Sequence, residues 1–364
     1  MRAAFRFGLP IVLTAVLSPL ASAQSAPAAA PAPSTQPTAL PRVRLVATGG
    51  TISNKTGGRL TAEQLVALMP GVERWVRPEY EQFSNLASGQ LTLQQWLDLS
   101  RRINQLLTED DGPAGVVVTS GTDTMEEVAY FLDLTVRSDK PVVVVGSMRN
   151  PSTLGYEGAA NLQDAFRVAG DPASRGRGVL VVLNDEINAA REVTKTDALR
   201  LDTFQSRRYG ILGVVDSDRV VYYRDDLKRH TRQSEFDVSS VHELPRVDVI
   251  WVYQGAPGDL IKAAVDLGAK GIVVATAGAG ATSGTEGEGL QYAMSKGVFV
   301  VFTTRTGNGR IAARRRAATG PNAARFAYWI AGEDLQPVKA RILLMLALTK
   351  THDAADIQRM FTEY

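Results

Sequence analysis

Short runs rich in Val and Ile recur along the chain and alternate with stretches of helical periodicity. The apolar runs lie at residues 43–47, 116–118, 142–145, 179–183, 247–252, 272–275 and 298–302. Between them, apolar positions fall on single helical faces, first at Leu93, Trp96, Leu97, Ile103 and Leu107, and then at Val128, Phe131, Leu132 and Val136. Apolar strands between amphipathic helices are typical of a mostly parallel sheet covered on both faces. The pattern therefore predicts an α/β fold.

A densely charged segment interrupts this rhythm after the fourth run. It contains Arg224-Asp225-Asp226 and Lys228-Arg229-His230, and it ends at Pro245 before the next apolar run. We interpret residues 226–245 as a linker. The prediction is an N-terminal catalytic α/β domain at 42–225, with a larger open parallel sheet, and a smaller C-terminal α/β domain at 246–364.

The first residues have the pattern of a secretory signal peptide. Arg2 and Arg6 precede an apolar stretch at 11–20, and Ala21-Ser22-Ala23 follows it. The apolar stretch is too short for a membrane span, which needs about 20 residues. Residues 1–23 are therefore predicted as a signal peptide, which implies a periplasmic or secreted protein. Residues 24–41 are rich in Ala and Pro, and their composition predicts a disordered spacer.

The overall charge excludes one class of partner, and the cysteine count excludes two kinds of chemistry. Without Arg2 and Arg6, the basic residues fall to 38 and equal the 38 acidic residues. A neutral chain argues against nucleic acid as the main partner. The chain has no cysteine, so thiol catalysis and thiolate metal sites are excluded. Neither nucleic acid nor a membrane is expected as a partner.

Two threonine-bearing turns follow predicted strands at the start of the chain's folded part. Thr48-Gly49-Gly50-Thr51 follows the first apolar run, and Ser120-Gly121-Thr122-Asp123-Thr124 follows the second. In open α/β sheets, ligands bind outside the carboxyl ends of the strands. Glycine lets the backbone approach a small ligand closely and frees N–H groups to face an anion. These two turns are therefore candidates for one shared pocket.

Thr51 is a candidate nucleophile, because a hydroxyl beside glycines can be oriented and activated by a neighbouring base. A turn threonine that bonds its own backbone is the alternative. Thr122 and Asp123 pair a hydroxyl with a carboxylate that is suited to an ammonium group. Thr124 and Glu127 have the spacing of a capping box for the following helix. Asp123 could equally be an acidic residue at a helix start.

Lys195 is a candidate proton acceptor, because a lysine partly shielded from water can lose its proton to serve an alcohol nucleophile. A solvated lysine is the alternative. Ser88-Gly89-Gln90 offers a hydroxyl, an amide and backbone donors in one turn, which suits a carboxylate; an ordinary surface turn is the alternative. A cluster of four arginines could attract anions or form a solvated face; its members are Arg310, Arg314, Arg315 and Arg316.

Several familiar motifs do not occur in the sequence. There is no Walker phosphate loop and no Gly-x-Ser-x-Gly elbow, and Gly278-Ala279-Gly280 with Gly284 misses the dinucleotide spacing by one residue. The three histidines are scattered without metal-ligand spacing. A histidine-based triad or a zinc site is therefore not expected.

Three segments, in this order, resemble the bacterial type II L-asparaginase family, which includes the glutaminase-asparaginases. They are residues 47–52 (Ala-Thr-Gly-Gly-Thr-Ile), 120–127 (Ser-Gly-Thr-Asp-Thr-Met-Glu-Glu) and 193–196 (Val-Thr-Lys-Thr). The likeness continues through 129–135, 184–185, 236–239 and 339–344. It therefore covers nearly the whole chain after residue 41.

The resemblance implies an asparaginase-like fold, with a larger N-terminal α/β domain joined to a smaller C-terminal one. Such proteins usually assemble as a homotetramer of tight dimers, in which a neighbour's C-terminal domain completes each site. The implied reaction is hydrolysis of L-asparagine to L-aspartate and ammonia through an acyl-enzyme, with L-glutamine as a second candidate substrate. No cofactor or metal is implied.

The resemblance also assigns roles to individual residues. Thr51 would be the nucleophile, and Thr122 and Lys195 would transfer protons. Asp123 would complete that catalytic group and hold the α-ammonium of the substrate. The α-carboxylate would bind at Ser88, and N–H groups around Thr51 and Thr122 would stabilise the oxyanion. The remaining substrate-binding positions would be Gly89, Gln90, Gly50, Ser120 and Gly121.

The sequence departs from the family pattern at several positions. Ser120 replaces the usual histidine, and Gly89 stands where a glutamine or glutamate is expected. Residues 53–59, where family members carry a catalytic tyrosine, contain no tyrosine, and residues 311–331 contain no acidic residue to match the partner-subunit glutamate. Residues 253–259 replace the asparagine-bearing loop of the family, so Gln254 or Asp259 would have a different role there.

These departures leave two alternatives to an asparaginase. One is an exported amino-acid-binding protein that has lost catalysis, although a receptor would not need Lys195 beside Thr122. The other is an amidase of the same family with a different amide substrate.

Overall fold

The computed structural model describes residues 39–313 and 327–364. Residues 42–222 form the strands of one large sheet and of two small hairpins. In chain order they are β1 (Arg42–Gly49), β2 (Asn54–Lys55), β3 (Gly58–Arg59), β4 (Arg77–Leu86), β5 (Gly115–Thr119), β6 (Val142–Val145), β7 (Val179–Leu183), β8 (Glu186–Ala189), β9 (Thr194–Lys195), β10 (Phe204–Gln205), β11 (Gly213–Val215) and β12 (Val220–Tyr222). The predicted signal peptide at 1–23 and most of the predicted spacer at 24–41 lie outside the described residues.

The helices and the remaining strands follow the alternation that the sequence predicts. The helices of the first half are α1 (Ala62–Val66), α2 (Leu93–Thr108), α3 (Met125–Thr135) and α4 (Gly158–Gly170). The second half adds, in chain order, β13 (Val247–Trp251), α5 (Asp259–Asp266), β14 (Gly271–Thr276), α6 (Glu286–Ser295), β15 (Phe299–Thr304), β16 (Trp329–Ala331), α7 (Pro337–Leu348) and α8 (Ala354–Glu363).

The larger sheet has eight strands in the order β12-β11-β8-β7-β6-β5-β1-β4. The five strands from β4 to β7 are parallel, whereas β8, β11 and β12 continue the sheet in antiparallel pairs. The smaller sheet is parallel throughout, in the order β13-β14-β15-β16. The predicted α/β fold, with a larger mostly parallel sheet and a smaller C-terminal one, is confirmed.

The strand order reverses direction at β1. The next parallel strand in the chain, β4, lies on one side of β1, and β5 lies on the other. Such a reversal opens a crevice at the carboxyl ends of the strands, which is where open α/β sheets bind their ligands. The turns that carry Thr51 and Thr122 leave β1 and β5 at this edge.

Helix α7 joins the two sheets into one core. It is buried on almost every side and packs against α3 and against β13, β14 and β15. A helix that is apolar all round belongs in a core rather than on a surface. Accordingly, residues Leu40–Tyr364 form one compact unit.

The predicted linker also contributes to this core, since Phe236 and Val238 are both buried within it. The domain bounds inferred from the sequence remain a proposal.

The capping box predicted at the start of α3 is wrong. The Thr124 side chain makes no capping hydrogen bond, and its buried hydroxyl has no partner among the described residues. Glu127 instead lies 3.8 Å from Arg341 on α7, measured from Oε2 to Nη1. Glu127 therefore contributes to the contact between α3 and α7 and does not cap α3.

Candidate active site between three glycine-bearing turns

The turns after β1 and β5 touch through their glycines. Ala47 pairs with Thr119 in the last register position of the two strands, and Thr48 N donates to Thr119 Oγ1 at 3.1 Å. A Cβ added to Gly50 would lie 2.4 Å from Gly121 N, which no side chain tolerates. Gly50 also has φ of 90°, a conformation that favours glycine. The two glycines therefore let the turns of Thr51 and Thr122 pack backbone against backbone.

A third turn, after β4, completes the crevice. A Cβ on Gly121 would lie 2.8 Å from Ser88 Oγ, so the absence of a side chain there admits Ser88. Gly50 N donates to Leu86 O at 2.8 Å, which ties the turn of Thr51 to the end of β4. The three predicted turns thus converge at one point of the sheet edge.

Lys195 reaches this crevice from a hairpin that lies far along the chain. Its Nζ donates to Thr122 Oγ1 at 3.0 Å and to Asp123 Oδ1 at 2.7 Å. Thr122 is buried, whereas the Asp123 side chain is 83% exposed and the Lys195 side chain is 15% exposed. Asp123 can therefore meet a ligand from solvent while Lys195 holds the hydroxyl beneath it.

Glu126 fixes the hairpin that carries Lys195. Glu126 Oε1 on α3 accepts hydrogen bonds from Thr194 Oγ1 at 3.0 Å and from Lys195 N at 3.3 Å. Asp123 lies in the turn before α3 and Glu126 in its first turn, and both carboxylates contact β9. Sequence reasoning did not assign Glu126 a role; its spacing from Asp123 was the available signal.

Lys339 supports the segment that leads into Lys195. This side chain of α7 is fully buried, and Nζ donates to Ala190 O and Arg191 O at 2.9 Å each and to Val193 O. Burial lowers the pKa of Lys339 to about 8. Three carbonyls match the three donors of an ammonium group. The C-terminal half of the chain therefore helps to place the proposed catalytic lysine.

Thr51 begins a short 3₁₀ helix, Thr51–Ser53, that leads into the β2–β3 hairpin. Ser53 N donates to Gly50 O at 3.2 Å and closes this turn. Thr51 is partly exposed, and its hydroxyl has no hydrogen-bond partner within 39–313 and 327–364. A hydroxyl without a local partner is available to an incoming ligand, unlike the turn threonine of the alternative reading.

The remaining predicted substrate-binding positions differ in burial and in their hydrogen-bond partners. Ser120 is buried, and its Oγ donates to Gly121 O at 3.2 Å within its own turn. Gly89 and Gln90 lie on the exposed side of their turn. Gln90 Oε1 accepts from Ala87 N at 3.3 Å, so its amide already has a local role. Ser88 is therefore the member of that turn that faces the crevice.

The candidate anion cluster is only partly described. Arg310 pairs with Glu333, and Arg314, Arg315 and Arg316 lie outside the described residues. Across the described ranges, no group of three acidic, histidine or cysteine side chains is arranged to hold a metal ion. A search of the same residues for a helix of membrane-spanning length and hydropathy found none.

Comparison with known proteins gives two family matches and several close relatives. Residues 42–228 match the family described as Asparaginase, N-terminal, and residues 246–361 match the Glutaminase/Asparaginase C-terminal domain. L-asparaginase 2 of Bacillus subtilis (strain 168) is 45% identical over 336 residues, which cover 89% of this chain and 87% of the relative. Glutaminase-asparaginase of Pseudomonas fluorescens biotype A is 37% identical over 337 residues, which cover 90% of this chain and 91% of the relative.

A solved structure shares the fold over nearly the same length. The probable cytoplasmic L-asparaginase from Campylobacter jejuni superposes with a TM-score of 0.83 at 38% identity. The match covers 89% of this chain and 100% of that one.

These names contradict the periplasmic or secreted location that the first residues predict. The solved structure is named cytoplasmic. A Haemophilus influenzae relative, 37% identical over 89% of this chain and 93% of its own length, is named a probable periplasmic L-asparaginase. Similar proteins thus carry both names, and similarity does not place this chain outside the cytoplasm. The predicted location is therefore wrong.

Proposed function

Because its two domain matches cover most of its length, this chain belongs to the asparaginase family, and we propose that it hydrolyses L-asparagine to L-aspartate and ammonia. The enzyme is an amidohydrolase by family. The observation that carries the proposal is the placement of Lys195, Thr122 and Asp123 beside the turn of Thr51. L-Glutamine is the proposed second substrate, since a relative with this domain pair is named a glutaminase-asparaginase.

Substrate binding uses charges at the two ends of an amino acid. The exposed Asp123 carboxylate meets the α-ammonium, and Ser88 donates to the α-carboxylate. As the ammonium binds Asp123, it competes with Lys195 for that carboxylate and leaves Lys195 bonded to Thr122. Backbone groups of the turns at Gly50, Ser120 and Gly121 line the space between these ends, where a side chain on either glycine would collide.

The reaction proceeds in two steps. Thr51 Oγ forms a bond to the side-chain carbonyl carbon of the substrate, and its proton passes to the group formed by Thr122 and Lys195. The C–N bond breaks, the nitrogen takes up a proton, and ammonia leaves an aspartyl ester on Thr51. Water then attacks the ester carbon, which frees L-aspartate and returns the proton to Thr51. The same group can transfer protons in both steps because it is restored between them.

Negative charge develops on the amide oxygen in each step. Gly50 N already donates to Leu86 O, so this N–H is committed to the fold. The proposed oxyanion donors are the N–H groups of the turns at Thr51 and Thr122. One such donor contributes about 3 to 4 kcal/mol in well-studied hydrolases.

Ammonia release by the purified protein with L-asparagine and L-glutamine tests this proposal. We expect release from L-asparagine, measured by a coupled ammonia assay, and slower release from L-glutamine. If no ammonia is released while L-asparagine raises the melting temperature, the protein binds the amino acid without hydrolysing it. If other linear amides are hydrolysed and L-asparagine is not, the chain is an amidase of the same family with another substrate.

We also propose a homotetramer of tight dimers. Leu154 is 97% exposed and Leu199 is 83% exposed in the single chain. Leu199 also lines an open pocket of about 510 Å³, and we expect a neighbouring subunit to cover both leucines. Sedimentation velocity at assay concentrations is expected to give a tetramer, and a monomer would contradict the proposal.

A further inference from the structure

The loop between β6 and α4 holds the hairpin that follows Thr51. Tyr156 Oη donates to Ile52 O at 2.9 Å, at the base of the hairpin. Ser152 Oγ accepts from Thr56 N at 2.9 Å, at its tip. The residues joined by these two contacts are 104 and 96 positions apart in the sequence. The hairpin residues 53–59 contain no tyrosine of their own.

The Tyr156 ring is fixed in place by its own loop and helix. A Cβ on Gly158 would lie 2.4 Å from Tyr156 Oη, so the first residue of α4 must be glycine for the ring to lie there. Tyr156 N also donates to Thr153 O at 3.1 Å. The ring packs against the apolar cluster that contains Ile52. A ring packed between Gly158 and this cluster, on a backbone tied to Thr153, presents its hydroxyl in one direction.

The Tyr156 hydroxyl is suited to donate a hydrogen bond and not to act as a general base. Burial, and after it the charge of Glu157, raise the pKa of Tyr156 well above its ordinary value. The hydroxyl therefore keeps its proton across the working range and donates to the Ile52 carbonyl throughout. That carbonyl belongs to the middle residue of the 3₁₀ helix that Thr51 begins, so the bond restrains the peptide next to the proposed nucleophile.

We propose that Tyr156 is a positioning residue that holds the Thr51 turn in its reactive orientation. The Thr51 hydroxyl has no hydrogen-bond partner within the described ranges, so its orientation depends on the backbone that carries it. A nucleophile must lie close to the attacked carbon and in line with it, and small displacements slow attack strongly. Tyr156 acts through Ile52 and does not contact the substrate. The inference rests on the proposed function of Thr51.

Tyr156→Phe removes the hydroxyl and leaves the ring over Gly158. Because a single hydrogen bond to the Ile52 carbonyl is lost, we expect kcat for L-asparagine to fall about fivefold. KM should stay within about twofold, because Asp123 and Ser88 do not contact Tyr156. Ser152→Ala is the matched control: it removes the tip contact of the same hairpin, and its kcat should stay within about twofold of the unaltered protein.

Hydrogen exchange of the peptide covering residues 49–56, measured without substrate, gives a readout independent of activity. In Tyr156→Phe this peptide should exchange faster while helix α2 exchanges as before. Unchanged kcat and unchanged exchange would overturn the inference, as would an equal loss of kcat in Ser152→Ala or a rise in KM equal to the fall in kcat. If the unaltered protein releases no ammonia, the proposed function fails, and unchanged exchange would separately exclude the Tyr156 restraint.

Discussion

Thr51→Ala is expected to lower kcat for L-asparagine about a thousandfold or more, because no ester can form without the hydroxyl. Binding should survive, since Asp123 and Ser88 are unaltered and lie on other turns. The substitution removes a partly exposed side chain that has no hydrogen bond within the described residues, so the fold should be retained. The measurement is initial ammonia release at saturating L-asparagine.

Thr51→Ser is the matched control, because it keeps the hydroxyl and loses a methyl group. Its kcat should exceed that of Thr51→Ala by at least about tenfold. In both variants L-asparagine should still raise the melting temperature. A Thr51→Ala protein that retains about a tenth of the original kcat would exclude Thr51 as the nucleophile.

Lys195→Met is expected to lower kcat by about 10²- to 10⁴-fold, the range that a positioned acid or base contributes. Methionine has a similar length and no charge, so it removes the donor to Thr122 Oγ1 and Asp123 Oδ1. KM should stay constant or fall, because Asp123 loses the internal cation that competes with the α-ammonium. A fall in kcat without a rise in KM would assign Lys195 to proton transfer rather than to binding.

Lys270→Met is the control for this change. Lys270 is exposed and lies immediately before β14, outside the proposed site. Its kcat and KM should match those of the unaltered protein. If Lys195→Met keeps kcat within about twofold, the assignment of proton transfer to this lysine is wrong.

The sequence was sufficient to predict the central strands, because buried parallel strands are continuous apolar runs. Val142–Val145 and Val179–Leu183 are buried along their whole lengths, and both were predicted. Strand β4 escaped prediction because it lies at the sheet edge, has no fully buried position and carries charged residues such as Glu79 and Glu81. Strands β11 and β12 have three residues each, too few to give a periodic signal.

The site was predictable where its chemistry is local to a turn, and not where it depends on distant contacts. Glycines before Thr51 and Thr122 indicated close backbone approach, and the structure brings those glycines into contact. The support that Glu126 gives to Lys195 spans 69 positions, and that of Lys339 spans nearly 150. No local sequence pattern encodes such pairings, because they form only when segments far apart in the chain pack together. The same reason hid the contact of Tyr156.

Partition of the reaction between water and hydroxylamine tests the covalent mechanism at Thr51 most directly. A threonyl ester reacts with either nucleophile, whereas direct attack by water on the amide forms no shared intermediate. With L-asparagine and added hydroxylamine, we predict that aspartyl hydroxamate appears, that L-aspartate falls by the same amount, and that ammonia release does not fall. If L-aspartate forms without any aspartyl hydroxamate while ammonia release is unchanged, the reaction does not pass through an ester on Thr51.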